Sequence, residues 1–404
     1  MPDFSLFPLS ESFPAGIASA RRKRIAVSAP FRNSAPESES FCGLSTDPFV
    51  RRPILEPNLT HRSIPEMTRP EAIEWKDDRL RLLDQRKLPL DVSFIDCRCA
   101  EDVAVAIETL AVRGAPAIGI AAAYGVVLDA TTKRDAIAAI DRLSLTRPTA
   151  VNLFHALARM RAIVDDASGA PLRERLLAEA RVIHAADVAA NETMGLLGQA
   201  LLPRNSVLYT HCNAGALATG GFGTALGVMR AAVRAGKTIR VFADETRPLL
   251  QGSRLTAWEL FEDGIDVTVV CEGMAAAVFS RERVDAVLVG ADRIASNGDT
   301  ANKIGTYTLA LVARHFSVPF YVVAPWTTVD MKCPAGRSIP IEERDPDEMR
   351  ECFGAKILPR DFPVWNPAFD VTPADCITAI ITERGVARPP FFASLSAFDD
   401  MINP

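Results

Sequence analysis

Apolar residues recur at helical spacing through the second quarter of the chain. Five segments between residues 100 and 200 carry apolar side chains three and four positions apart, the repeat of a helix with one buried face. These segments are 100–112, 114–128, 133–143, 152–164 and 172–200. A strand pair at 72–75 and 79–83 precedes them. The pattern predicts a mainly helical N-terminal domain over residues 67–202.

After Pro203 the pattern changes to an alternation of short apolar runs and helical segments. The strand-like runs are 206–209, 238–243, 266–271, 286–290 and 319–324, and the helical segments between them are 223–235, 256–262, 274–280 and 305–315. This regular alternation of strands with helices is typical of βαβ units. We therefore predict an α/β protein whose C-terminal domain, residues 203–404, is a doubly wound, mostly parallel Rossmann-like sheet.

The segment 1–66 differs from the rest of the chain. It holds nine of the 28 prolines, many serines and a basic cluster at 21–24, and it shows no period of 2 or 3.6. This composition predicts a disordered extension. A targeting peptide is an alternative, although the segment has more acids than transit sequences usually carry. An upstream start artefact is another, because Met67 comes just before the globular pattern.

The composition argues against several classes of protein: nucleic-acid binders, membrane-spanning proteins and zinc proteins. The 404 residues are 48% hydrophobic and 24% charged, with a formal net charge of −5, which argues against a dedicated nucleic-acid binder. No apolar run is long enough to cross a bilayer, so no membrane span is predicted. The eight cysteines are scattered without zinc-site spacing, and we interpret them as reduced cytoplasmic thiols with no metal site.

One glycine-rich loop is the strongest single feature. Residues 210–227 follow an apolar strand, carry Cys212 among small residues and lead into a helix. Backbone N–H groups in such a loop can face an anion, and a helix N-terminus favours a thiolate. His211 is adjacent, but neighbours on a strand end point in opposite directions, so it is not predicted as the base for the thiol. The loop's Gly221, Gly223 and Gly227 have the wrong spacing for a nicotinamide dinucleotide.

Other polar residues follow further strands, where ligands of parallel sheets bind. Asp292 ends an apolar run, and partial burial there would raise its pKa and suit it to acid–base work. Asn302 and Lys303 are predicted at the start of the next helix, in reach of an anion or a sugar. Arg113 precedes another helix start, and Gln251 could bind a sugar hydroxyl. Each of these also has a plain interpretation as a capping or solvated side chain.

Four motifs together resemble the S-methyl-5-thioribose-1-phosphate isomerase family of the methionine salvage pathway. They are RGAPAIG at 113–119, THCNAG at 210–215, DETRP at 244–248, and GADRI at 290–294 followed by Asn302-Lys303. The resemblance runs from about residue 67 to residue 386. The family is related to the regulatory subunits of the guanine nucleotide exchange factor for translation initiation, which share the fold but lack the catalytic pair.

The resemblance implies an aldose–ketose isomerase that converts 5-methylthio-D-ribose 1-phosphate to 5-methylthio-D-ribulose 1-phosphate. It implies no metal or organic cofactor, a cytoplasmic homodimer, a small sugar phosphate as the ligand, and neither nucleic acid nor membrane as a partner. By motif, Cys212 and Asp292 are the catalytic pair. The implied substrate contacts are Arg113, Gly114, Ala115, Arg147, Gln251, Asn302 and Lys303. The alternatives are a ribose 1,5-bisphosphate isomerase and a non-catalytic regulatory subunit of the same fold.

Overall fold

Helices dominate the first part of the described chain, and strands alternate with helices in the second part. The structure, a computed structural model, describes residues 69–147, 151–166, 169–352 and 354–400. The helices are α1 (Ala100–Glu108), α2 (Ala115–Asp129), α3 (Lys133–Ser144), α4 (Val151–Asp165), α5 (Leu172–Gln199), α6 (Ala225–Arg234), α7 (Ala257–Glu262), α8 (Ala275–Arg281), α9 (Thr306–His315), α10 (Asp347–Arg350) and α11 (Phe391–Asp400). The strands are β1 (Ile73–Lys76), β2 (Arg79–Leu83), β3 (Phe94–Cys97), β4 (Asn205–Thr210), β5 (Thr238–Asp244), β6 (Asp266–Val270), β7 (Ala286–Val289), β8 (Arg293–Ala295), β9 (Thr300–Lys303), β10 (Phe320–Val323), β11 (Val329–Asp330), β12 (Glu351–Cys352), β13 (Ala355–Lys356), β14 (Phe369–Thr372), β15 (Ala379–Thr382) and β16 (Gly385–Ala387).

Helix α2 lies at the centre of the helical part. It is apolar on all sides, and α1, α3, α4 and α5 pack around it. A helix without a polar face is expected to be buried in this way. Strands β1, β2 and β3 form a small antiparallel sheet beside it. The Trp75 ring of β1 stacks on the Tyr124 ring of α2 with the centroids 5.4 Å apart. No helix in the described ranges is both long and apolar enough to cross a membrane.

The second part is built on a seven-stranded sheet in the order β16-β15-β10-β7-β4-β5-β6. All neighbours are parallel except β15 and β16. From β4 the chain moves outward through β5 and β6, then returns to add β7 on the other side of β4. Ligands of doubly wound sheets bind at such a reversal, beyond the carboxyl ends of the strands. The crevice between β4 and β7 is therefore the position where this fold offers a site.

A smaller four-stranded sheet has the order β11-β8-β9-β14, and its first strand, β8, follows β7 in the chain. One prediction proves wrong in this sheet. Asn302 and Lys303 do not begin a helix. They end strand β9, in which Asn302 is opposite Asp370 and Lys303 is opposite Phe369 of β14. Helix α9 begins three residues later, after Gly305, whose φ of 101° breaks the strand. The two side chains are consequently fixed by sheet pairing rather than by a helix terminus.

The α/β class and the parallel sheet are confirmed, and the predicted helices and strands lie within a few residues of the observed ones. All described residues belong to one compact unit. The domain boundary near residue 202 stays a prediction. The disordered extension predicted for residues 1–66 lies outside the described residues.

Candidate active site

A cavity opens at the reversal point of the seven-stranded sheet. It has a volume of about 140 Å³, enough for on the order of ten water molecules. All nine predicted site residues line it: Cys212, Asp292, Arg113, Gly114, Ala115, Arg147, Gln251, Asn302 and Lys303. They come from well-separated regions of the chain, and the fold brings them together in one place.

Cys212 follows β4 in a constrained backbone conformation. Its φ is 62°, a left-handed value that non-glycine residues rarely adopt and that concentrates at functional sites. Two threonine hydroxyls hold it there: Thr246 Oγ1 accepts from its backbone N–H at 2.9 Å, and Thr256 Oγ1 donates to its carbonyl at 2.6 Å. The thiol is buried and faces the cavity.

Asp292 follows β7, the strand beside β4. Its backbone N–H donates to Ala301 O at 2.9 Å, which fixes the residue against the smaller sheet. Burial raises the pKa of its carboxyl above the ordinary value, and the positive charges of Lys303, Arg147 and Arg113 only partly oppose the shift. A carboxyl of this kind holds its proton at higher pH than a solvated one does and can serve as a general acid.

Arg113 and the first turn of α2 form one wall of the cavity. The Arg113 guanidinium donates from Nε to Gln85 Oε1 at 3.2 Å, and from Nη2 to both the backbone and the side-chain oxygen of Asn213. Burial lowers the pKa of Arg113, although Cys212, Glu259 and Asp292 would each favour its cationic form when ionised. Gly114 and Ala115 follow at the N-terminus of a 15-residue helix, where the dipole favours an anion.

Lys303 and Asn302, at the end of β9, form another wall of the cavity. Lys303 is 9% exposed, and its Nζ lies 5.1 Å from the centre of the Phe369 ring. Burial lowers the pKa of Lys303, while Cys212 and Asp292 oppose the shift as negative neighbours. Asn302 is also buried and donates from Nδ2 to Thr306 Oγ1 at 3.0 Å. The wall thus offers one ammonium group and one amide to a ligand.

Two further cavity residues keep polar atoms without a partner. Gln251 is 4% exposed, and within the described ranges its Oε1 has no hydrogen-bond partner. Arg147 donates from Nη2 to Glu342 Oε2 at 3.2 Å, and no partner is found for its Nε in the same ranges. Buried polar atoms without partners are costly, so their presence at a cavity is consistent with contact to a ligand.

A buried ionic cluster supports the cavity from behind. Glu259 is 0% exposed. Its carboxylate accepts from Asn213 Nδ2 at 2.9 Å and from the backbone N–H of Ala216 at 2.8 Å, so it anchors the loop that follows Cys212. Burial alone would raise the pKa of Glu259, but Arg230 and Arg69 outweigh it and hold the pKa below the ordinary value. Asn213 in turn binds Arg113, which connects the cluster to the cavity.

We expect Glu259→Gln to lower the free energy of unfolding by about 3–5 kcal/mol, because it removes a carboxylate on which two buried arginines depend. The lowered pKa means that the stabilisation is present at neutral pH and is lost as the pH falls through that pKa. Urea unfolding at pH 7 measures the loss. Glu262→Gln, on the same helix, is the matched control, and a loss no larger than that of the control would contradict the role of the cluster.

Sequence reasoning did not identify Glu259 or the bonding of His211. The His211 ring is buried between Asp244 and the backbone of Ile304. Asp244 lies 33 residues further along the chain than His211, and Ile304 lies 93 residues further along. Asp244 at a strand end was the one available signal. Glu259 is an ordinary position in a helical pattern, and nothing in the sequence marks it.

The cysteines other than Cys212 lie outside the cavity in the described part of the chain. The seven described cysteines are all free thiols. Across residues 69–147, 151–166, 169–352 and 354–400, no group of three or more His, Cys, Asp or Glu side chains is arranged to hold a metal ion.

Sequence comparisons agree with the cavity's composition. The pattern of the Initiation factor 2 subunit family matches residues 111–389. The chain is 55% identical over 339 residues to a methylthioribose-1-phosphate isomerase from Heliobacterium modesticaldum, a match that covers 81% of this chain and 98% of that protein. It is 54% identical over 340 residues to the enzyme of the same name from Anaeromyxobacter dehalogenans, covering 83% and 98%.

Solved structures give the same fold. A 5-methylthioribose 1-phosphate isomerase from Pyrococcus horikoshii superposes with a TM-score of 0.78 at 44% identity, covering 84% of this chain and 99% of that one. A chain described as translation initiation factor eIF-2B, subunit delta, from A. fulgidus superposes with a TM-score of 0.75 at 47% identity, covering 81% and 98%. The chain belongs to the Initiation factor 2 subunit family, in which it groups with the methylthioribose-1-phosphate isomerases.

Proposed function

We propose that this cavity converts 5-methylthio-D-ribose 1-phosphate to 5-methylthio-D-ribulose 1-phosphate, an aldose-to-ketose isomerisation of methionine salvage. One observation carries the proposal: a thiol and a carboxyl with a raised pKa, far apart in sequence, line one cavity at the ends of adjacent strands. The two named relatives, 55% and 54% identical over most of the chain, support the same reaction.

The cavity is lined by both charged and apolar side chains, and the two kinds suit the two ends of this sugar. Arg113, the N-terminus of α2 and Lys303 supply positive potential for the 1-phosphate. Leu110, Ile118 and Val323 are among the apolar residues that line the same cavity and suit a methylthio group. We assign Arg147, Gln251 and Asn302 to the phosphate and the sugar hydroxyls.

Asp292 is the proposed acid for ring opening. The phosphate on the anomeric oxygen prevents ordinary opening to a free aldehyde, so the bond between C1 and the ring oxygen must break with a proton delivered to that oxygen. A carboxyl whose pKa is raised by burial can deliver it. The C2 hydroxyl later loses a proton as the ketone forms, and this proton restores the acid.

Hydrogen must also move from C2 to C1, and two routes are open. In one, a base removes the C2 proton, an enol phosphate forms, and C1 is protonated. In the other, the hydrogen migrates with its electron pair to a cationic C1, which small and apolar surroundings favour. We propose that Cys212 and Asp292 share the proton transfers in either route.

Product analysis tests the function directly. Purified protein and 5-methylthio-D-ribose 1-phosphate are expected to give the ketose, seen by ¹³C NMR as loss of the anomeric carbon signal and appearance of a ketone carbon. The same reaction in D₂O separates the routes, because deuterium at C1 of the product excludes direct hydride migration. The A. fulgidus chain described as an initiation factor subunit is tested alongside. If the substrate stays unchanged in the presence of this protein, the result would favour a regulatory role instead.

The rival sugar, ribose 1,5-bisphosphate, needs cations for a second phosphate. Arg293 and Arg344 also line the cavity, but Arg344 is bound to Glu342 and Glu348 at 3.1 and 2.5 Å, and Arg293 lies 3.8 Å from Asp330. These carboxylates neutralise the charge that a second phosphate would require, which favours the methylthio sugar. Competition between the two sugars in one assay discriminates between them.

We further propose a cytoplasmic homodimer, as the family resemblance implies. Leu196, Phe261 and Trp365 are large apolar side chains with 66%, 69% and 77% of their surfaces exposed, and such residues are available to an interface. Sedimentation velocity measures the mass, and cell fractionation measures the location. A monomer at micromolar concentration would contradict the proposed assembly.

A further inference from the structure

A buried histidine lies directly beside Cys212, and the proposed proton transfers do not use it. His211 is 1% exposed. Its Nδ1 lies 2.9 Å from Asp244 Oδ2, and its Nε2 lies 2.8 Å from the carbonyl oxygen of Ile304. The Tyr209 hydroxyl donates to the other oxygen of Asp244 at 2.5 Å. Both ring nitrogens are thus engaged by the protein.

The hydrogen-bond partners of the two ring nitrogens of His211 indicate which of the nitrogens carries a proton. A backbone carbonyl only accepts, so Nε2 of His211 carries a proton. The carboxylate of Asp244 accepts from Nδ1 when that nitrogen carries a second proton, and the ring is then an imidazolium. Burial is the largest single influence and would lower the pKa of His211, but the hydrogen bond to Asp244, the charge of Asp244, the Ile304 carbonyl and the charge of Glu272 together outweigh burial and raise the pKa. With both N–H groups directed at protein acceptors, the ring has no free nitrogen for a substrate proton.

The ring joins three strand ends. His211 follows β4 and precedes Cys212, Asp244 ends β5, and Ile304 comes directly after Lys303 of β9. Gly305 leaves space for the His211 ring. Its φ is 101°, and a Cβ at this position would lie 2.8 Å from His211 Cε1. The imidazolium therefore ties the loop that carries Cys212 to the strand end that carries Lys303.

We propose that His211 is a positioning residue, held by Asp244 and Tyr209, that fixes the Cys212 thiol and the Lys303 ammonium relative to each other across the cavity. Part of the inference rests on the proposed isomerase reaction, in which a misplacement of about 1 Å can cost on the order of 100-fold in rate. The other part concerns anion binding by Lys303 and does not depend on the reaction.

His211→Gln tests both parts. Glutamine can still donate to Ile304, but it has no second donor nitrogen for Asp244 and no positive charge. We expect kcat to fall by about 100-fold. Iodoacetamide labelling of Cys212, followed by mass spectrometry, reports on the anion site without any turnover, because bound inorganic phosphate should protect the thiol. The half-protecting phosphate concentration should rise several-fold in the variant. His315→Gln, at an exposed histidine of α9, is the matched control.

Asp244→Asn provides a signature that a merely structural residue would not show. In the part of the chain that the structure describes, the titratable groups that act on the ring or its partners include Asp244, Glu272, Tyr209, Asp370 and Cys271. Without the Asp244 carboxylate, burial prevails and the pKa of His211 falls, so the ring loses its proton as the pH rises. The variant's kcat should therefore decline toward high pH more steeply than that of the parent.

The outcomes separate the two proposals. A folded His211→Gln protein whose kcat and half-protecting phosphate concentration stay within twofold of the parent overturns the positioning role. An Asp244→Asn pH profile parallel to that of the parent also overturns it. If the parent itself makes no ketose, the isomerase proposal fails, while a shift in phosphate protection in His211→Gln still supports the inference about Lys303.

Discussion

Asp292→Asn is expected to lower kcat by about 10²–10⁴-fold, the contribution of a positioned general acid or base. Asparagine has the size of aspartate but no proton of suitable acidity, so the ring oxygen would leave as an unprotonated alkoxide. The substitution keeps Lys303, Arg113 and Arg147 in place, and the amide is as uncharged as the protonated carboxyl it replaces. We therefore expect KM to change much less than kcat, as measured by ketose formation under steady-state conditions.

The pH dependence of kcat/KM shows whether Asp292 acts as a general acid in its protonated form. The pKa of Asp292 is raised by burial, so the carboxyl is protonated below that pKa and ionised above it. If Asp292 protonates the ring oxygen, kcat/KM is highest on the acid side and falls as the pH rises through the raised pKa. Asp266→Asn, at the exposed start of β6, is the matched control. An Asp292→Asn protein that keeps more than a tenth of the parent's kcat would contradict the assignment.

Cys212→Ser should cause the second-largest loss, also about 10²–10⁴-fold in kcat. Serine fits the same space and keeps the two backbone hydrogen bonds to Thr246 and Thr256, so the loop is retained. Its hydroxyl is a far weaker acid than a thiol and cannot share the proton transfers. The assay is ketose formation with and without the substitution, together with a thermal unfolding scan to verify the fold.

The matched control for the thiol is Cys271→Ser. Cys271 follows β6 at the same edge of the sheet, but it is exposed and does not line the cavity. We expect its activity to equal that of the parent. If Cys212→Ser retained half of the parent's activity, the thiol would have no part in proton transfer, and the left-handed backbone at Cys212 would need another explanation.

The fold could be predicted where the sequence carries a long, regular pattern. The helix predicted at 172–200 and the strand predicted at 238–243 correspond to α5 (Leu172–Gln199) and β5 (Thr238–Asp244). The smaller sheet could not be predicted, because β8 and β9 have three and four residues. Strand β9 pairs with β14, which lies far along the chain, and its sequence Thr-Ala-Asn-Lys shows no apolar alternation.

The site was predictable to the extent that its residues follow strands. Cys212 and Asp292 come after strands that become neighbours only through the order of the parallel sheet, so their meeting follows from the topology. Asn302 and Lys303 line the cavity, but they lie on a strand and not at the predicted helix start, and their contact with the substrate stays a prediction. Glu259 and the pairing of His211 could not be foreseen, since their partners are distant in sequence and form no motif.

The central claim is that the sugar binds between Cys212 and Asp292, and a crystal structure of Asp292→Asn soaked with 5-methylthio-D-ribose 1-phosphate tests it most directly. We predict electron density for the sugar between the Cys212 sulfur and position 292, with its phosphate against Arg113 and the first turn of α2. Density instead in the neighbouring cavity lined by Arg86, Arg254 and Leu255, with none beside Cys212, would contradict the account.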